Sequence, residues 1–384
     1  MIAVTAGRLF TPLESIADPL VLIEEGVITE ATSRAGREIP ARTRVLNFAG
    51  AVLAPAFVDL HIHGSAGRDV MDSDSSSLAA IGQFLARRGV GSYFPTTVTA
   101  SLDVTLAALD RLANAIETAG ATHSRALPFG IHLEGPFLSH ARRGVHPPQH
   151  LLRPSVSTFD QLWQGARGHI RVMTIAPELD GALEVIAEAV NRGVCVSLGH
   201  SGADSKATRS AIAAGARHAT HTFNAMRPLD HRDPGVLGAA LTDSRLSADI
   251  IADGIHVDPA MIGLFLKAKG PEGAVLITDA TAATGMPDGH YRLGTIEVEV
   301  KDGRCLCNGH LAGSVLTLDR AVRNMVQFTG SDLQLALRLA TLNPARVAGM
   351  KKHGKLEAGS AADLVVLSPA GEVRATILRG ELLE

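Results

Sequence analysis

The stretch Ala56-Phe57-Val58-Asp59-Leu60-His61-Ile62-His63-Gly64 opens as an apolar run and ends in two histidines one residue apart. On a β-strand, residues i and i+2 project to the same face. His61 and His63 therefore point together from the C-terminal end of a strand. The apolar part, Ala56–Leu60, is followed by seven similar runs: Ser92–Val98, Phe129–Leu133, Arg171–Ile175, Val194–Leu198, His218–Thr222, Ala248–Ile251 and Ala274–Thr278. Between most of them lie Ala- and Leu-rich amphipathic stretches such as Gly181–Asn191 and Lys206–Ala214. Short buried strands alternating with helices predict an α/β fold, a (β/α)8 TIM-like barrel, whose active site gathers at the C-terminal strand ends.

Outward from this pattern the chain turns β-like. Leu20–Ile23 and Val27-Ile28 flank the turn Glu24-Glu25-Gly26, a hairpin signal, and Val45–Phe48 reads as a strand that stops at Ala49-Gly50. Near the other end, Asp363–Leu367 and Ala375–Leu378 are strand-like. The expected organisation is a small β-sandwich domain formed by both termini (1–54 and 346–384), with the catalytic barrel (55–345) inserted into it.

Composition narrows the function. In 384 residues, 46% are hydrophobic, enough for a large core, and the formal net charge is −3. A balanced charge excludes bulk electrostatic binding of nucleic acid or membrane, and 4% aromatic content argues against base-stacking surfaces. Three cysteines make no disulfide framework. Cys305 and Cys307 read as neighbouring β residues, and Cys195 as a small buried hydrophobe within the fifth strand. No long apolar span and no leader pattern are visible, so a cytoplasmic enzyme is the expectation.

The strand ends carry the chemistry. A bare His-x-His is as often two ordinary histidines as a metal pair, and Glu134, before Gly135-Pro136, taken alone reads as a loop carboxylate. His200 follows the fifth run; His221 follows the sixth and is preferred as a ligand over His218, which reads as structural. His132 shares the face of Glu134 and is read as a supporting residue. Asp279 follows the eighth run; alone it could be a helix N-cap, but beside a metal it reads as a general base. Taken together, histidines and acids at five of eight strand ends point to a metal-dependent hydrolase.

These residues carry a resemblance to the amidohydrolase superfamily, in the segments DLHIHG (59–64), HLEGPF (132–137), RRGVHPP (142–148), LGHS (198–201), HTFNAM (221–226), DGIH (253–256), TDAT (278–281) and LAGS (311–314). The terminal β segments also resemble it, so the likeness covers essentially the whole chain. The resemblance implies hydrolysis of the acetamide of N-acetylglucosamine 6-phosphate, giving glucosamine 6-phosphate and acetate. It implies that Glu134, His200 and His221 ligate one divalent metal and that His61 and His63 add a second sharing Glu134, with zinc or iron as the ion. It places catalysis on Asp279 and His146, and substrate contacts on Val145, His146, Asn224, Ala225, Arg232, His256, Leu311, Ala312 and Gly313. It further implies a homodimer in which Arg232 reaches across the interface; Arg227 lies outside that motif. Many members bridge two metals with a modified lysine after strand four. Here that strand ends Ile175-Ala176-Pro177-Glu178 and no lysine precedes Lys206, which leaves Glu134 as the bridge. The alternatives are a deacetylase or aminoacylase acting on another N-acyl substrate, and a catalytically silent scaffold that has no need of this full ligand set.

Overall fold

The computed structural model describes residues 1–72, 76–119 and 124–383. Eight parallel strands lie where the apolar runs predict them: β1 (Phe57–Ile62), β2 (Val90–Thr97), β3 (Ile131–Glu134), β4 (Ile170–Ile175), β5 (Cys195–Leu198), β6 (His218–Ala219), β7 (Ala248–Ile251) and β8 (Ala274–Ile277). Continuous parallel pairing runs from β1 through β6, and β7 pairs with β8. Backbone hydrogen bonds close the ring. Ala219 and Thr222 N–H donate to Ser247 and Asp249 C=O between β6 and β7. Asp279 N–H donates to His61 C=O, and His63 N–H to Ala280 C=O, between β8 and β1. A helix follows each strand, from Ser77–Ala86 after β1 to Leu318–Thr329 after β8.

The barrel strands alternate two chemistries. Leu60, Ile62, Leu133, Ile175, Val196, Leu198 and Ile250 belong to the large apolar core. The residues between them, Asp59, His61, His132, Glu134, Thr174, Ser197 and Asp249, are equally buried but polar. The period of two thus sends apolar side chains to the helices and polar ones to the barrel axis, where each requires a partner.

Both termini join one eight-stranded sheet, in which Arg44–Pro55 runs parallel to Ile2–Phe10 and antiparallel to Leu364–Leu367. The predicted hairpin is present as Pro19–Glu24 paired with Val27–Ser33. The sheet curls until its extremities meet: the Gly26 turn packs on Arg379, and Ala362 N–H donates to Gly26 C=O. Val4, Leu9, Val21, Ile28, Leu53, Leu364 and Ile377 fill the interior. The expected strand end at Ala49-Gly50 is absent. The strand runs on to Pro55, and its register shifts opposite Ala6–Arg8. Gly50, at φ +70°, absorbs the irregularity that looked like a stop.

A four-stranded antiparallel sheet after β8, spanning Gly289–Leu293, Ile296–Lys301, Arg304–Cys307 and His310–Leu311, was not anticipated. Its signals were present, since Asp302-Gly303 and Asn308-Gly309 both have positive φ, as tight hairpins demand. Cys305 and Cys307 are neighbouring residues of one of its strands. Cys195 opens β5 half-buried, and burial pushes its thiol up to about 12.

Asn343 ties the last helices to the barrel floor. Its Nδ2 donates to Pro271 C=O at 2.8 Å and to Ala274 C=O, where β8 starts, at 2.7 Å. Both bonds are far from the C-terminal strand ends. Asn343→Ala should cost about 2 kcal/mol of stability and lower the melting temperature, while kcat/KM of the folded protein stays near wild type. An unchanged melting curve refutes this role.

Candidate metal centre

Seven polar side chains converge at the C-terminal mouth of the barrel. Glu134 is the hub, almost completely buried at the end of β3. Its Oε1 lies 3.2 Å from His200 Nε2 and 3.1 Å from His221 Nε2. Its Oε2 lies 3.3 Å from both His61 Nε2 and His63 Nε2, and 3.6 Å from His146 Nε2. Asp279 closes the other side, with Oδ1 3.1 Å from His63 Nε2 and 3.4 Å from His61 Nε2. Two groups of three result: Glu134 with His200 and His221, and Asp279 with His61 and His63. One carboxylate faces both.

The hydrogen bonds behind the rings state what the site is for. His63 Nδ1–H donates to Thr96 C=O at 2.9 Å, His200 Nδ1–H to Arg142 C=O at 2.9 Å, and His221 Nδ1–H to Asn224 C=O at 3.2 Å. With Nδ1 committed to donation, each neutral ring turns its Nε2 lone pair inward. His200 Nε2 and His221 Nε2 are 3.0 Å apart, with carboxylate oxygens on the far side. Acceptors aimed at acceptors in a buried space repel unless a positive charge stands among them. The donor set of imidazoles and carboxylates suits a divalent metal cation.

His146 is wired in the opposite sense. The backbone N–H of Thr99 donates to its Nδ1 at 3.3 Å, and the Thr99 hydroxyl lies 2.8 Å from the same atom. Nε2 must then carry the proton, so His146 offers a donor to the cavity where its neighbours offer lone pairs.

The backbone at the centre is forced. His200, His221 and Asp279 have φ of 48°, 31° and 51°, in the left-handed region that non-glycine residues avoid. Glu178 anchors the turn after His200, accepting from Ser201 Oγ at 2.7 Å and Gly202 N–H at 2.6 Å. Asp249 accepts the N–H of His221 and sits 2.9 Å from His218 Nε2, so His218 is structural, as expected. Asp59 ties β8 to β1 by accepting from the Thr278 hydroxyl at 2.7 Å; burial pushes its pKa up to about 6. Gly313, at φ +60°, lies against Asp279, and a methyl there would sit 3.0 Å from Asp279 C=O.

The other predicted residues lie in the segments that follow β3, β6, β7 and β8. Val145 packs half-buried beside His146. Asn224 turns its amide back onto His221 C=O at 3.3 Å, and Ala225 C=O accepts from Ser201 N–H. His256 Nδ1 is 2.7 Å from Asp253 Oδ2 in the loop after β7. Arg232 is exposed on the loop after β6, while Arg227 is engaged by Asp233 at 2.9 Å. Leu311 is exposed, and Ala312 N–H donates to Cys305 C=O. The structure brings His61, His63, Glu134, His146, His200, His221 and Asp279 into one cluster; Asn224 touches it at His221 and Gly313 at Asp279, while Arg232, His256, Leu311 and Ala312 lie in the segments that follow β6, β7 and β8. Sequence reasoning missed Asp59, Thr99 and Asp249 as supports. An acid inside the apolar run Ala248–Ile251 was the readable signal for Asp249.

The Amidohydrolase family matches residues 52–383. An N-acetylgalactosamine-6-phosphate deacetylase of Escherichia coli O157:H7 is 40% identical over 98% of both chains. An N-acetylglucosamine-6-phosphate deacetylase of Bos taurus is 40% identical over 87% of this chain and 84% of its own. Among solved structures, an N-acetylglucosamine-6-phosphate deacetylase from Mycobacterium smegmatis, an aspartate-to-alanine variant in complex with N-acetylglucosamine 6-phosphate, superposes with TM-score 0.92 and 37% identity over 99% of this chain and 98% of its own. A Pasteurella multocida enzyme with the same activity gives 0.92 and 30% over 99% of each chain.

Without a cation the cluster holds protons instead. Burial disfavours a charged His63, but hydrogen bonds to Asp279 and Glu134 outweigh it and push the ring up to about 10. The same contest, won by Glu134, raises His221 to about 9. His200, dominated by burial, falls to about 4 and is neutral. Filling both positions at pH 7 must therefore expel roughly two protons, and affinity should rise with pH up to about 9–10 and fall in acid. Calorimetric zinc titrations of metal-stripped protein, in buffers of differing ionisation enthalpy, measure this directly; heats independent of buffer contradict it.

Proposed function

Because the chain belongs to the amidohydrolase family, we propose that its metal centre hydrolyses the acetamide of N-acetylglucosamine 6-phosphate, giving glucosamine 6-phosphate and acetate. Glu134 carries the reading, a buried carboxylate with one oxygen toward His200 and His221 and the other toward His61 and His63. In this reading Glu134, His200 and His221 hold one divalent ion, and His61 and His63 hold a second with Glu134 shared; zinc and iron both suit these donors. A bound divalent ion supplies Lewis acidity that brings the pKa of a water down toward 7, from 15.7 in bulk.

The protein's own groups do the rest. Asp279 is ionised: burial opposes its charge, but the neighbouring His61 and His63 hold it well below the usual carboxylate range. It takes the proton of the attacking water as the new C–O bond forms at the acetyl carbonyl. His146 donates its Nε2–H to the carbonyl oxygen, which becomes negative as the carbon turns tetrahedral. Such a fixed donor lowers the barrier by about 3–4 kcal/mol. The C–N bond then breaks, and Asp279 returns the proton to the sugar nitrogen, which is too basic to leave as an anion.

The remaining predicted residues are assigned to the substrate. Asn224, Ala225, His256 and Arg232 face the sugar phosphate, where a charge-assisted donor such as Arg suits the anion. Leu311, Ala312 and Gly313 form the loop beside Asp279, and Val145 lies against the acetyl side. Arg232 fits a role across a homodimer interface, and the division 1–54 and 346–384 against 55–345 separates a β unit from the catalytic barrel. A cytoplasmic setting suits a phosphorylated substrate.

One observation favours a second reading of the sugar. The Escherichia coli relative, matched over 98% of both chains, is named for the galactosamine epimer. Acetate release should be measured from N-acetylglucosamine 6-phosphate, from its galactosamine epimer and from the unphosphorylated sugar. The glucosamine ester should give the highest kcat/KM and the unphosphorylated sugar at least tenfold less; a higher value for the epimer selects the second reading. In Asp279→Asn, metal content and melting should persist while kcat falls by roughly 10²–10⁴, and near-normal turnover removes Asp279 from the mechanism.

A further inference from the structure

We propose that a one-way chain of hydrogen bonds, running Ser197 → Thr220 → Thr174 → His132 → Leu60 C=O through the barrel axis, positions the strands that carry the metal ligands. The inference rests on the metal-centre reading and adds residues to it.

The direction of the chain follows from its last link. His132 Nδ1 lies 3.1 Å from the carbonyl oxygen of Leu60, which can only accept, so Nδ1 carries a proton. With that proton on Nδ1, the Nε2 of the neutral ring is an acceptor, and the Thr174 hydroxyl donates to it at 2.8 Å. Having donated, Thr174 Oγ1 accepts from Thr220 Oγ1 at 2.8 Å, and Thr220 Oγ1 accepts from Ser197 Oγ. One imidazole tautomer fixes the orientation of three hydroxyls. All four side chains are buried. Gly199 makes room for them, since a methyl there would lie 2.8 Å from Thr220 Cβ and 2.9 Å from Thr174 Cγ2.

Every link except Thr174 sits close in sequence to a ligand. Leu60 precedes His61, His132 is two residues before Glu134, Thr220 precedes His221, and Ser197 is three residues before His200. The His132 ring also stands edge-on to His61, with centroids 4.6 Å apart. Strand β4 carries none of the candidate ligands yet lies between β3 and β5. Its inward Thr174 is the splice that carries the chain past it. The strands bearing Glu134, His200, His221 and His61 are thereby cross-linked directly beneath those side chains. Ser197, Thr174, Thr220 and His132 are positioning residues; none is placed in contact with the substrate.

The test uses the full-length protein stripped of metal. Zinc dissociation constants come from chelator competition, with melting curves and circular dichroism of the metal-free forms alongside. Thr174→Val keeps the shape and cuts the chain at its centre, leaving His132 Nε2 without a donor, and should weaken zinc binding 10- to 100-fold. Thr174→Ser should restore near-wild-type affinity. Ser197→Ala removes only the terminal link and should give a smaller loss, and it decides the matter if Thr174→Val does not fold. A Thr174→Val protein that folds and binds zinc like wild type overturns the proposal, as does a wild-type constant for Ser197→Ala when Thr174→Val is unfolded. A merely structural role would lower the melting temperature and leave the zinc constant in place. If the wild-type chain takes up no zinc, the metal-centre reading itself fails and this proposal falls with it.

Discussion

The centre of this molecule is a buried carboxylate surrounded by the lone pairs of imidazoles. Glu134 is hidden from solvent at the end of β3, with four histidine Nε2 atoms between 3.1 and 3.3 Å from its oxygens. A buried charge is costly unless it is neutralised. Every other feature of the barrel mouth can be read as a response to that constraint. Nδ1 donations to Thr96, Arg142 and Asn224 carbonyls fix the rings, and raised proton affinities at His63 and His221 supply positive charge when no cation does. The neighbouring imidazoles keep Asp279 ionised, while Thr99 reverses the tautomer of His146 so that its Nε2 carries the proton. The proposed base and donor thus stand in opposite protonation states.

The fold serves this arrangement by closing. His61 lies in the first barrel strand and Asp279 just after the last, more than two hundred residues apart, and they are held together by backbone bonds between the two segments and by Asp59, which grips Thr278 across 219 residues of sequence. The polar lining of the axis continues this function below the metal positions, where threonines and serine replace the branched aliphatics that commonly fill such barrels.

Much of this was legible in the sequence. The eight strands could be located because each is a short apolar run, buried on the helix side. The candidate ligands could be found because strand ends in a barrel converge on one face: His61, His63, Glu134, His200, His221 and Asp279 occupy one cluster, as their positions implied. What escaped notice depended on contacts between distant segments. The tautomer of His146 is set by Thr99, 47 residues away, and nothing in the motif around either residue announces it. Asp59 and Asp249 read as ordinary acids until their backbone donors are seen. The antiparallel sheet at Gly289–Leu311 had readable hairpin turns, but the helix–strand alternation drew the reading past it. At Gly50, a glycine that punctuates many strands serves here as a bulge.

His200, His221 and Asp279 all hold left-handed backbone angles. A glycine would occupy each position with less strain, yet it would carry neither an imidazole nor a carboxylate. Robustness to heat and reactivity are therefore in direct conflict at these three points, so sequence drift toward sturdier variants is barred where the chemistry resides.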